Sequence, residues 1–354
     1  MEALLFVVGI IVIAIVFGNL SNRNKQHGGR GRGLGRAFPQ EPPPVALGLP
    51  FGHPARSAAE RLEAALEEGF ESRVHDRVLQ ASPKMTDAEW QWTWFELKRF
   101  FLLCALLRNV PMYSAKADDV WHQMLMFTRE YETFCQRFCG VYIHHAPHGP
   151  GDNKPDAGSR AWFDWAYSEL FGMSPASGKL WGSFYRHPLK ASQLEQLEFS
   201  DGQSLRESLF RRDTAALHSD LDATITHLIE AAKRQVTGAR KRQASSSRRA
   251  GRNDDFDMVS MAGGGMLLYY SILEPNYVSQ RMDESLTDEQ KRHASGNSST
   301  NQCSTGSDSG GGSHHHNHHH GDGDSSSHGG GDSSCSSGSS CGSSCGSSCG
   351  GGGD

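Results

Sequence analysis

Val120, Met124, Phe127, Tyr131, Phe134 and Phe138 follow one another at steps of four, three, four, three and four residues. At about 100° per residue they line one face of a helix, and an apolar stripe of that width needs a partner surface to cover it. Asp118 and Asp119 stand at the start, where the helix dipole favours negative charge. Gly140 follows the last turn, in the place of a left-handed residue that closes a helix. A chain built on this element folds by packing helices on helices. On the same wheel His122 lies opposite the stripe, beside Asp118.

The surrounding sequence has the same character. Ser57 to Leu79 carries the Ala, Glu, Arg and Leu content of a surface helix, stopped by Pro83. Thr86-Asp87-Ala88-Glu89 then reads as a capping box, with Met85 and Trp90 as its hydrophobic staple. The helix that follows contains Trp90, Trp92, Trp94, Phe95 and the apolar run Phe100 to Leu107. Eight residues are too few to span a bilayer, so this is expected to be the buried central helix. Trp162, Phe163, Ala166 and Leu170, with Trp181, Phe184 and Tyr185, add aromatic core beyond a Pro/Gly/Asp loop. Strand alternation is absent, and the expected fold class is all-α, with a short extended piece at Val141 to His145.

Toward the C-terminus, Leu217, Leu221, Ile225, Leu228 and Ile229 form a narrower stripe on a helix that ends in a basic cluster. Too few heptads are present for a coiled coil, so the helix is expected to dock on the domain. The apolar stretch Met258 to Ile272 contains three consecutive glycines and is expected to be buried or to lie at a membrane surface.

The two ends differ in kind from this middle. Ala3 to Gly18 is apolar throughout and with Leu20 would span about 27 Å as a helix, just enough to cross a bilayer. Arg23, Lys25, Arg30, Arg32 and Arg36 follow the segment and no Lys or Arg precedes it. An uncleaved single-pass anchor with the C-terminal bulk in the cytoplasm is therefore expected. The expected organisation is an anchor at 1–20, a Gly/Arg/Pro linker at 21–54, a helical domain at 55–200, an amphipathic helix and apolar segment at 201–294, and a disordered Ser/Gly/His/Cys tail at 295–354. A net charge of −5 gives no general basic field, so nucleic-acid binding is not indicated; the expected partners are the membrane and a protein.

Two groups of residues could carry metal chemistry. In the tail, His314, His315, His316, His318, His319 and His320, with Cys341, Cys345 and Cys349, place soft and borderline ligands on a flexible chain, candidates for zinc, nickel or copper. Asn317 interrupts the histidines and a long Ser/Gly/Cys stretch follows them, which argues against an affinity tag. In the domain, His122, His144, His145 and His148 with Asp118, Asp119, Cys135 and Cys139 hold enough ligand types, but no spacing is diagnostic of a metal motif. If residues 118–138 form one helix, the stretch from His122 to Phe138 is about 24 Å long, and the few residues after it reach back at most about 25 Å. That geometry predicts that His122 and the pair His144/His145 do not share a site, and it leaves Trp121 and His122 as a candidate interaction surface. No nucleophile elbow, phosphate loop or dinucleotide fingerprint is present, and no catalytic residue is assigned.

Asp118-Asp119-Val120-Trp121-His122, then Phe127-Thr128-Arg129-Glu130-Tyr131, Phe134-Cys135, Gly140 and Ile143-His144-His145-Ala146-Pro147 resemble the glycine-rich domain-containing protein family and its bacterial relatives, over Met112 to Pro147. The resemblance implies a helical domain, often joined to a Gly-rich tail, and supplies no catalytic residues. The function expected from all of this is a membrane-tethered interaction or scaffold module, metal-responsive through its tail. The alternatives are a metal-dependent enzyme using His122 and His144/His145, or a metal buffer acting through the tail.

Overall fold

A computed structural model describes residues 37–145, 156–246 and 263–296. The expected anchor at 1–20, His148, and the tail histidines and cysteines lie outside the described residues. Among the described residues there are fourteen α-helices and no strand, so the fold is all-α. None of these helices is long and apolar enough to cross a membrane.

The central helix is α3, Asp87–Leu106, preceded by α1, Arg56–Ala65, and α2, Glu68–Ala81. Thr86 caps α3, its side chain accepting from the Glu89 N–H at 3.2 Å. The other half of the expected capping box is not made: the Glu89 carboxylate is taken by Lys116 instead. Trp92, Phe95, Leu97, Phe100, Phe101, Leu102 and Leu103 are all buried, so the C-terminal half of α3 is enclosed, as its unbroken apolar run requires.

Two of its charges, Glu96 and Arg99, are internal. Glu96 is fully buried and accepts from Tyr167 Oη at 2.6 Å, Trp181 Nε1 at 2.8 Å, Ser174 Oγ at 2.7 Å and Ser177 Oγ at 3.1 Å. Arg99, 3.5 Å from Glu96, donates to the Leu47 carbonyl, to Gly172 O and to Tyr167 Oη. A buried charge is tolerable only when its hydrogen bonds are made, and these are.

The stripe that begins at Val120 is carried by two helices. Helix α4 is Ala115–Leu125, capped by Ser114 at 3.2 Å from the Ala117 N–H, and α5 is Thr128–Cys139. The chain turns at Met126 and Phe127. Phe127, at φ −99° and ψ 65°, packs its ring edge-on to Phe70 on α2, with centroids 6.0 Å apart. Val120, Met124, Tyr131, Phe134 and Phe138 remain buried because the two-residue break keeps the apolar positions in phase. Gly140 closes α5 at φ 74°, its N–H shared between Cys135 O and Gln136 O. The exit 141–145 then returns to the first turns of α4.

The remaining helices complete the same core. Helix α6, Ala157–Leu170, is capped by Asp156 and is followed by α7, Ser177–Trp181. Three short helices follow: α8, Ala191–Phe199, α9, Gly202–Leu209, and α10, Arg212–Leu217. Helix α11, Ser219–Ser246, buries Leu221, Ile225, Leu228 and Ile229. Of the two placements expected for the apolar stretch 258–272, burial holds for its described part: α12, Gly263–Leu273, packs against α6 and α11 with Leu267 and Leu268 fully buried. A Cβ at Gly264 would meet Glu169 Oε1 at 2.7 Å and Trp165 O at 3.1 Å, so a glycine is needed for the two helices to come this close. Two further helices, α13, Val278–Ser285, and α14, Asp288–Ala294, end the described chain. One cluster of buried side chains runs from Leu47 to Ala294, so the segments divided at residue 200 in the sequence share a single core.

Candidate metal centre

Asp118 and His122 are one turn apart on α4 and so face the same way. Their nearest atoms, Asp118 Oδ2 and His122 Nδ1, are 3.7 Å apart. His145 arrives from the far end of α5, and its Nε2 lies 2.7 Å from Asp118 Oδ1. The rings of His122 and His145 have centroids 4.5 Å apart. One ligand atom from each of the three side chains lies within 4.8 Å of the others.

This corrects the expectation that His122 and His144/His145 are held apart. That expectation treats 118–138 as one rigid rod. The break at Met126–Phe127 redirects α5, so the short exit 141–145 suffices to bring His145 to Asp118. Only His145 joins His122; His144 is exposed, with its ring 4.8 Å from Tyr142.

The three side chains differ in exposure: His145 is 8 % exposed, Asp118 27 % and His122 46 %. The centre is thus anchored on its inner side and open on its outer side. Ligands at about 2.1 Å from a tetrahedral zinc-class ion stand closer together than the widest separation here. In such a site the ligand atoms stand about 3.4 Å apart, so an ion would draw His122 inward and replace the 2.7 Å hydrogen bond between His145 and Asp118.

Beneath the three side chains lies a hydrogen-bonded aromatic support. Trp121 is 4 % exposed and meets the His145 ring edge-on, centroids 4.5 Å apart. Its indole N–H donates to Tyr131 Oη at 3.1 Å, and the Tyr131 hydroxyl donates to the Ile143 carbonyl at 2.6 Å. Trp121 therefore works from inside the domain, whereas His122, its partner in the expected interaction surface, is the one that faces outward. By periodicity Tyr131 reads as a member of the apolar stripe. Its hydroxyl gives no sign there of a partner twelve residues on.

The cysteines beside the stripe, Cys135 and Cys139, do not join the three-residue group. Burial pushes the Cys135 thiol up to about 11 and raises that of Cys139 as well. Cys139 Sγ instead lies 3.3 Å from the Val141 carbonyl, at the start of the exit.

Comparison with known proteins gives one family. The match is to a family described as UCP032817-like, over residues 60–169. No glycine-rich domain family is found, which overturns the resemblance drawn from Met112 to Pro147. The UCP032817-like match begins within α1 and ends within α6, so it takes in Asp118, Trp121, His122, Tyr131 and His145 and leaves both chain ends outside. No curated protein and no solved structure matches the chain.

Proposed function

We propose that the helical domain is a divalent-metal-binding module whose ligands are Asp118, His122 and His145. The convergence of three ligand atoms within 4.8 Å, from two elements brought together by the helix break, is the observation that carries this. Two imidazoles and one carboxylate favour a borderline transition ion such as zinc, iron(II), cobalt or nickel over magnesium or calcium, which prefer all-oxygen sites. Three protein ligands leave at least one coordination position for water or another ligand, and the half-exposed His122 puts that position toward solvent.

The rest of the chain extends this role. The apolar segment at 3–18 tethers the module to a membrane with the domain in the cytoplasm, where it serves as an interaction platform. The tail histidines 314–316 and 318–320, with Cys341, Cys345 and Cys349, are weaker, movable ligands that hold zinc, nickel or copper near it. A second reading, metal-dependent catalysis at the same three residues, is favoured by the open coordination position.

The test uses the full chain with the tail histidines and cysteines replaced by serine, so that only the domain can bind. About one equivalent of cobalt(II) or zinc should remain bound after dialysis and be lost in Asp118→Asn and His145→Gln. Metal content near zero, or content indifferent to both substitutions, refutes the proposal. Azide added to the cobalt-loaded protein should shift its visible spectrum; an unchanged spectrum argues against an open position and against catalysis there.

A further inference from the structure

A metal site on a surface helix needs its distant ligand held still, and here that ligand comes from an extended segment rather than a helix. Residues 141–145 have no helical hydrogen bonds of their own. Their backbone is fixed instead at Ile143, whose carbonyl accepts from the Tyr131 hydroxyl at 2.6 Å and whose side chain is buried. Tyr131 is itself fully buried, and its hydroxyl can donate one hydrogen bond. The Trp121 indole N–H occupies an acceptor site of that oxygen, which turns the single hydroxyl proton toward Ile143. Trp121 neighbours His122 in sequence and touches the His145 ring in space.

We infer that Tyr131 is the positioning residue of the centre, locking the Ile143–His145 segment onto α4 so that His145 is presented to Asp118 and His122 in ligand geometry. This rests on those three residues binding a metal. Tyr131 touches no metal. It acts through two residues of backbone, with Trp121 orienting its proton. The stripe needs only an apolar ring at position 131, which phenylalanine supplies equally; the hydroxyl serves the exit segment and the ligand at its end. Outer groups of this kind typically change metal affinity by about 10–100-fold when removed.

The experiment is a cobalt(II) titration of the full chain with tail histidines and cysteines replaced by serine, read by visible absorption and accompanied by thermal melts. Tyr131→Phe is expected to weaken cobalt binding by about tenfold or more. Its spectrum should move toward that of His145→Ala, while the metal-free protein still melts cooperatively. An affinity and spectrum equal to those of the parent, whatever the melting temperature, overturn the inference and leave the hydroxyl a structural bond only. Should Tyr131→Phe fail to fold, Trp121→Phe carries the test: it removes the N–H that orients the hydroxyl, together with part of the ring that meets His145. A loss of about tenfold or more with a spectrum moved toward that of His145→Ala supports the inference, and unchanged affinity overturns it. Absence of cobalt binding in the parent protein refutes the metal centre itself and the positioning role with it, so the two failures are told apart.

Discussion

The same substitution should act with opposite sign at two glycines of this chain. Gly140 sits at φ 74° between the end of α5 and the exit that carries His145. Placing alanine there costs about 1–2 kcal/mol for the left-handed conformation. The new Cβ would also stand 2.6 Å from Leu217 Cδ1. Leu217 is 58 % exposed and can swing aside, so that contact adds at most about 1 kcal/mol. Alanine recovers about 0.4–1 kcal/mol by restricting the unfolded chain. The net is a loss of about 1–2 kcal/mol, or a melting temperature lowered by about 2–8 °C in a domain of this size. Gly238 lies inside α11 at negative φ, with nothing within 4 Å of a built Cβ. There Gly→Ala should stabilise by about 0.5–1 kcal/mol. Thermal melts of the two variants beside the wild type decide the matter. A Gly140→Ala melt indistinguishable from wild type, or a lowered melt for Gly238→Ala, would refute the reasoning on helix ends.

Arg99→Met leaves the Glu96 carboxylate buried without its cation and frees the Leu47 and Gly172 carbonyls; it should cost about 3–5 kcal/mol and lower the melting temperature by roughly 10 °C, a drop under about 3 °C being contrary. Asp164 is fully buried, and burial pushes its carboxyl from 3.8 up to about 6, against the pull of Arg160. Between those values the folded chain keeps a proton that the unfolded chain releases, so this contribution is complete below about pH 4 and is lost as pH rises through about 6. Wild type should therefore lose ground to Asp164→Asn as pH goes from 4 to 7, and melting curves that run parallel across that range would count against it. Ending the chain after Gly296 should leave the melt within about a degree of wild type. Ending it after Ser285 removes the Phe184 N–H bond to Ala294 O, 2.9 Å, and the buried Leu286, and should lower the melt clearly.

Helix type and some helix ends were legible because each has a local cause: Thr86 caps, Gly140 stops, and the apolar steps mark the covered faces. The caps at Ser114 and Asp156 start their helices three and two residues ahead of where Asp118 and Ser159 place them. The break at Met126–Phe127 was not legible. It carries neither glycine nor proline, and the apolar period runs through it in phase, since periodicity reports which side chains are covered and not whether the backbone is continuous. The convergence of Asp118, His122 and His145 follows from that break. Asp118 and His122 could be placed on one face from their spacing, but His145 could not be brought to them along an unbroken helix. The Glu96 and Arg99 network was hidden for a related reason: its other members come from Leu47 and from residues 167–181, and no local pattern connects them.

The most direct measurement on the centre is anomalous diffraction from crystals of the full chain grown with zinc, with data on both sides of the zinc edge. The expected result is one strong peak bonded at about 2.0–2.2 Å to an Asp118 carboxylate oxygen, a His122 ring nitrogen and a His145 ring nitrogen, with a further position open to solvent. Density showing no peak between these three side chains, with zinc on the tail alone or nowhere in the protein, would contradict it.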